Sequence, residues 1–280
     1  MSTPSDKEHP LYEKPKGQER LQISASQAGK KRSRRPPEDQ PKLTLILVAI
    51  NALIFAAMMV SAEIERAFMA HGALFPPLVV YQGQVYRLFT AMFLHGGLAH
   101  VLFNMYALYI IGSTVEPIFG RLRFSLIYFL GGLTGSALSL ALGDPLTPSV
   151  GASGAVFAIF AAEAAHLYQH RGVYANVTGR LRHMLFLIGM NLVIGFLPGS
   201  RIDNWGHIGG VIGGLMLAWR IAPRLSRPVI PPRSMREFAR SDSNPVRTRL
   251  PELVIYVFVL IGLIVAAISA LPAQMPNFVP

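Results

Sequence analysis

The 280-residue sequence contains no cysteine, and only 15% of its residues are charged. The first absence excludes disulfides, thiolate metal sites and a cysteine nucleophile. The second argues against a soluble globular enzyme, in which roughly a quarter of the residues would be charged. Acidic residues are the scarcer sign, 15 against 26 Lys and Arg, so a chain poor in charge still carries a formal +11. Apolar residues are what it has in plenty: 51% of the chain, with a mean hydropathy of +0.39. Those properties are compatible only if the basic residues are segregated from the apolar ones. Their positions therefore decide whether the charge implies a nucleic-acid partner.

Residues 1–42 hold ten of the basic residues and scarcely any aliphatic run. Such a stretch cannot bury enough apolar surface to offset its ordering entropy, and it reads as a disordered basic tail. It is too long and too polar for the positive region of a signal peptide. Leu43 to Ala62 then forms an uncharged run of about 20 residues, enough to cross a hydrocarbon core of about 30 Å as a helix. Further apolar segments follow at 97–115, 124–142, 151–169, 183–198, 205–221 and 251–271. The expected fold class is all-α, a polytopic membrane helical bundle. Its core is expected over 43–221, followed by an Arg/Pro-rich cytoplasmic linker at 222–250, a seventh transmembrane helix at 251–271 and a short tail at 272–280.

The distribution of Lys and Arg tests this count. Apart from Arg66, Arg87 and Arg201, every basic residue falls in the N-terminal tail or in stretches on the same side as it. Arg121 and Arg123 lie between spans two and three, Arg171, Arg180 and Arg182 between four and five, and Arg220 to Arg249 between six and seven. The alternation implies a cytoplasmic N-terminus, and the expected location is a bacterial inner (plasma) membrane. The +11 is then topogenic, and no nucleic acid is expected as a partner.

Polar side chains inside spans are costly and are functional candidates by default. His100 and Asn104 lie near the start of span two, Ser153 near the start of span four, and His207 near the start of span six. These three spans run from outside to inside, so the four groups converge on one layer near the outer leaflet. A serine hydroxyl becomes a nucleophile when a base takes its proton, and neutral imidazole is the usual base. Attack on an amide creates an oxyanion that needs preorganised donors. His100, the Asn104 amide and the Ser153 N–H are candidates for that task.

Gly206, Gly210 and Gly214 recur every fourth residue in span six, and Gly154, Ala158 and Ala162 answer in span four. Matching small faces allow helices to approach closely in a bilayer. Each feature alone has a bland reading: a membrane serine bonds back to its own turn, and small-residue faces merely pack. Their coincidence at one depth is the functional signal. Asp203 with Asn204 reads as a cap for span six, although Asp203 stands four residues before His207, where a third triad member could be sought. Asn51 and Asn191 read as interhelical hydrogen-bond donors, and Glu163 as structural.

With these residues in place, the sequence resembles the rhomboid family of intramembrane serine proteases. His100-x-x-x-Asn104 is similar to the family's second-helix motif, with His95 at the additional upstream histidine. Gly151-Ala152-Ser153-Gly154 resembles the Gly-x-Ser-Gly nucleophile motif, and His207-x-x-Gly210-x-x-x-Gly214 the sixth-helix motif, with Gly206 where alanine is commonest. Gly112-x-x-x-Glu116-x-x-x-Gly120 resembles the motif ending the second helix, and Tyr86-Arg87 stands where the family often has Trp-Arg. The resemblance runs over about residues 43–221. It implies a rhomboid-like six-helix core plus one C-terminal helix, and a Ser153–His207 dyad without a required carboxylate or cofactor. It further implies an oxyanion site from Ser153 N–H, His100 and Asn104, and transmembrane protein substrates cleaved in or beside their spans. Structural support is implied for Gly151, Gly154, Gly206, Gly210, Gly214, Glu116 and Arg87. Phe157 stands where many members stack a tyrosine on the catalytic histidine; it keeps the stacking face. The long first loop, about 63–95, is expected partly in the outer leaflet, and the loop from Leu197 to Asn204 over the cavity above the dyad.

Two rivals stand beside this reading. An inactive rhomboid-like protein would bind membrane clients without cleaving them, and such relatives typically lose the serine or the histidine. A transporter or channel would carry polar groups through the depth of the bilayer, and Glu163 is the residue available to it.

Overall fold

A computed structural model describes residues 40–172, 176–197, 200, 202–224 and 242–274. The expected basic tail lies outside these residues as far as position 39, as do 225–241 of the expected linker and 275–280. Among the described residues every regular element is a helix, forming a polytopic membrane bundle.

The first helix, α1 (Lys42–Met58), begins behind Pro41 with no capping side chain from its own N-cap residue. The leading N–H groups of a helix have no intrahelical partner. The buried carboxylate of Glu116 supplies one from elsewhere in the chain. It accepts from Leu43 N–H at 2.9 Å, Thr44 N–H at 2.7 Å and the Thr44 hydroxyl at 2.8 Å. One turn earlier, Gly112 leaves room for Thr44, since a Cβ there would sit 2.6 Å from the threonine hydroxyl. Glu116→Ala leaves three donors unpaired at this helix end. It is expected to lower stability by about 3 kcal/mol, read as the thermal midpoint in detergent. An unchanged midpoint would show that α1 is held by packing alone.

After α1 the chain folds into α2 (Ala62–Gly72), α3 (Pro76–Gln82), α4 (Arg87–Thr90) and a 3-10 turn at Ala91–Phe93. The Ser61 hydroxyl caps α2 by accepting Ile64 N–H, and Glu63 and Glu65 occupy its first turn, where the helix dipole favours negative charge. Pro76 and Pro77 open α3, where a missing N–H costs nothing. The stretch expected as a long loop is thus largely helical. Arg87, only 2% exposed, fastens it by donating to Ala73 O at 2.8 Å, Ala70 O at 2.6 Å and the Gln84 side chain at 2.6 Å. Two of these acceptors are carbonyls at the end of α2, left over by the helix itself.

Spans two and three are joined in α5 (Leu98–Leu142), which breaks at Gly120. Its φ of 76° and ψ of 159° are open to glycine and strained for other residues. Next come α6 (Ser153–Gln169), α7 (Val177–Gly195), α8 (Asn204–Ile221) and α9 (Leu250–Ala270). Span five was expected at 183–198 and begins six residues earlier, which moves Arg180 and Arg182 from a loop into the helix. The reason is the partner that Arg180 finds: it reaches Glu163 Oε1 on α6 at 2.5 Å, so its charge does not end the helix. Asn191 was expected to donate to a neighbouring helix. Its amide instead donates to Leu187 O, one turn back.

Among the described residues, α5, α7 and the Val246–Ala270 stretch containing α9 are long and apolar enough to cross a membrane by length and composition. The small-residue helices α6 and α8 fall below that measure, and the fold accounts for it. Twelve of the 17 residues of α6 are buried, and a helix wrapped by others need not show lipid an apolar surface.

The end of the expected linker is ordered. Asn244 donates to Arg220 O at 2.8 Å and Ala222 O at 2.9 Å, closing the C-terminus of α8. Arg123 reaches Asp242 at 2.5 Å and also donates to Asn244 O. Further along, the Tyr256 hydroxyl of α9 lies 2.5 Å from Thr134 Oγ1 on the second half of α5.

Candidate active site

The position of α8 follows from its glycines. A Cβ at Gly210 would overlap the Gly154 carbonyl, and one at Gly214 the Ala158 carbonyl, so this face meets α6 backbone to backbone. A second face, overlooked in the sequence, meets α5: a Cβ at Gly209 would lie 2.7 Å from Thr134 O, and one at Gly213 2.9 Å from Thr134 Cβ. Gly135 on α5 completes it, facing Gly206 O, while Gly131 one turn earlier faces Ala158 on α6. The fourfold spacings Gly131–Gly135 and Gly209–Gly213 were the available signal. The third glycine expected on the α6-facing stripe, Gly206, differs from Gly210 and Gly214. Its Cβ direction points at Asp203, while its carbonyl lies against Gly135 and Gly154.

This wedge brings the first turns of α6 and α8 together. His207 Nε2 lies 2.8 Å from Ser153 Oγ. The His207 ring is buried and stacks on Phe157, one turn after the serine, with centroids 4.3 Å apart and planes at 26°. Among the described residues His207 Nδ1 has no hydrogen-bond partner. Asp203 does not provide one: its Oδ1 accepts Gly206 N–H at 2.8 Å, capping α8, and its Oδ2 accepts the Ser149 hydroxyl at 2.5 Å. The adjacent Asn204 reaches across to α7, donating to Leu192 O at 3.0 Å.

Gly151 gives the site its floor. Its φ of 131° suits glycine, and a Cβ would lie 2.8 Å from His100 Nε2 and 3.7 Å from Ser153 Oγ. The ring edge of His100 therefore faces the same small volume as the serine hydroxyl. His95, buried in the preceding loop, packs edge-on against His100 with centroids 5.1 Å apart. Asn104 follows one turn after His100 and donates one amide hydrogen to His100 O at 3.0 Å, which leaves its second N–H uncommitted by that bond.

The loop before the serine is held locally. Asp144 accepts from Thr147 Oγ1 at 2.6 Å and Leu146 N–H at 3.0 Å, and these bonds keep its carboxyl below the usual carboxylate range. Of the loop expected over the cavity, 198, 199 and 201 lie outside the described residues. Among the described residues no three of His, Cys, Asp and Glu converge to hold a metal ion.

A family model described as Rhomboid domain matches residues 82–224. The chain is 41% identical over 148 residues to RHOMBOID-like protein 1 of Arabidopsis thaliana, covering 53% of this chain and 37% of that protein. It is 36% identical over 181 residues to Rhomboid protease GluP of Bacillus subtilis (strain 168), covering 64% and 34%. Inactive RHOMBOID-like protein 8 of Arabidopsis thaliana is 30% identical over 195 residues, covering 66% and 54%. The chain thus spans between about a third and a half of the length of these relatives. The matched region takes in Arg87, Ser153 and His207 alike, and the chain belongs to the rhomboid family.

Proposed function

We propose that this chain is an intramembrane serine endopeptidase that cleaves peptide bonds in or beside the transmembrane segments of membrane proteins. The observation that carries the reading is the 2.8 Å contact between Ser153 Oγ and His207 Nε2. With its own proton on Nδ1, neutral His207 accepts the serine proton as Oγ attacks the scissile carbonyl carbon. The tetrahedral oxyanion forms beside Ser153 N–H, His100 Nε2 and the second Asn104 amide hydrogen, the donors assigned to it. Collapse breaks the C–N bond, and His207 returns the proton to the leaving amine. A water then loses its proton to His207, attacks the acyl-serine ester and releases the new carboxylate.

The family includes both a named protease and a named inactive relative, so membership alone does not decide activity. The paired serine and histidine favour the protease over the client-binding protein. The transporter loses the acid available to it, because Glu163 is engaged by Arg180. Basic residues gather at the helix ends on the same side as the N-terminal tail, which supports a cytoplasmic N-terminus and a dyad toward the external side, in what we read as a bacterial inner membrane.

A fluorophosphonate tests the dyad without knowledge of the substrate. The full chain in detergent is expected to be labelled at Ser153, and His207→Ala to abolish labelling. Adduct on another residue, or undiminished labelling in His207→Ala, would remove the assignment.

A further inference from the structure

Ser153 and His207 are 54 residues apart, and so are Ser149 and Asp203, each four positions upstream. The two pairs form successive cross-links between the same two segments. We propose that Asp203 is a positioning residue for the proposed protease reaction, holding the serine segment and the histidine helix in register through its bond to Ser149. This inference rests on the dyad reading.

Each oxygen of the Asp203 carboxylate serves one of the two segments. Oδ1 takes Gly206 N–H, next to His207, and so sets the first turn of α8. Oδ2 takes the Ser149 hydroxyl at 2.5 Å. Ser149 in turn belongs to a short extended stretch that is held from the opposite side. It exchanges backbone hydrogen bonds with Leu74 at 2.9 and 3.0 Å, and Gly151 N–H donates to Ala91 O at 2.9 Å. Leu74 and Ala91 are buried parts of the folded layer between α1 and α5. The stretch leading into Ser153 is therefore stretched between that layer and Asp203. Among the described residues, the Ser149 bond and the dyad contact are the side-chain hydrogen bonds that join these two segments near the site, beside the close packing of α6 on α8. The dyad contact must open and reform during turnover, which leaves the Ser149 bond as the standing polar link there.

A capping role for Asp203 alone makes a different forecast. The Oδ1 bond to Gly206 survives in Ser149→Ala, so that variant would be silent if capping were the whole task. The test uses the purified full chain in detergent. It measures kcat and KM on a model transmembrane substrate, the fluorophosphonate labelling rate, and the thermal midpoint. Ser149→Ala and Asp203→Ala are each expected to lower kcat and the labelling rate about tenfold, as misplaced reacting groups do. KM should stay within about twofold, because substrate contacts are unchanged. The double variant should be no slower than the slower single one, since both remove one link. Asp203→Asn can accept from Gly206 through its carbonyl and donate to Ser149 through its amide, so it should restore kcat to within about threefold of wild type.

Wild-type kcat in Ser149→Ala overturns the proposal, as does Asp203→Asn behaving like Asp203→Ala, which would point to charge rather than register. Should Asp203→Ala fail to fold, Ser149→Ala decides, because its helix cap is intact. A wild-type chain that neither cleaves nor reacts with the fluorophosphonate overturns the dyad reading and this one with it. A reactive wild type matched by an equally reactive Ser149→Ala overturns the positioning role alone.

Discussion

Ser153→Ala and His207→Ala are each expected to bring cleavage of a transmembrane substrate to background while leaving the amount of folded chain in the membrane unchanged. The dyad acts as a unit: without Oγ there is nothing to acylate, and without the imidazole the hydroxyl keeps its proton. In serine proteases such losses reach about 10⁶-fold in kcat, and removing both groups costs little more than removing one. Stability should respond weakly. Ser153→Ala removes one hydrogen bond, worth about 1 kcal/mol, and His207→Ala removes the ring stacked on Phe157, again about 1 kcal/mol beyond its buried area. The measurement is product formation against blotted enzyme level, in membranes and in detergent. Undiminished cleavage by either variant would sink the dyad.

The second large effect is expected at a residue with no chemistry. Gly210→Leu places a side chain where even a Cβ would overlap the Gly154 carbonyl, and Gly154 follows the proposed nucleophile directly. The obstacle is backbone, which cannot swing aside as a flexible side chain can, so α8 must move away from α6. Overpacking of this kind costs about 3 kcal/mol, and a displacement of about 1 Å at reacting groups can cost about 100-fold in rate. Gly210→Leu should therefore lose both fluorophosphonate labelling and several degrees of thermal midpoint. Gly262→Leu on α9 is the control: nothing lies within 4 Å of its Cβ position, and it should be silent in both assays. Full labelling of Gly210→Leu would show that the close approach of α6 and α8 does not set the dyad.

These two expectations draw on different kinds of information. Ser153 and His207, which the structure brings to 2.8 Å, stood out in the sequence because an ionisable or hydroxylic side chain in an apolar run is unusual, and because each opens an apolar segment. Gly210 was legible through its spacing with Gly214. The partner of Glu116 was not, because a carboxylate that caps a helix 72 residues away leaves no local trace. The start of α7 was misplaced for a related cause: Arg180 reads as the end of a span until Glu163 is seen beside it. The folded layer of α2, α3 and α4 was hidden because its helices are short and amphipathic at most, so their apolar residues read as an outer-leaflet loop.

Asp203 shows the division most clearly. Its place before the first turn of span six was enough to read it as a cap, because capping is a contact between residues three apart. Its second oxygen bonds Ser149, which lies in another segment, and only the packed arrangement of α5, α6 and α8 decides that. The sequence by itself determined the membrane class and the helical fold class, and it singled out the pair proposed as reactive, since apolar run length and residue chemistry are properties of the chain taken in order. The tertiary structure decided what links those residues to one another. Hydrogen bonds at 2.5–2.8 Å between groups 54 residues apart depend on how closely helices approach, and that distance is set jointly by every small residue on their facing surfaces.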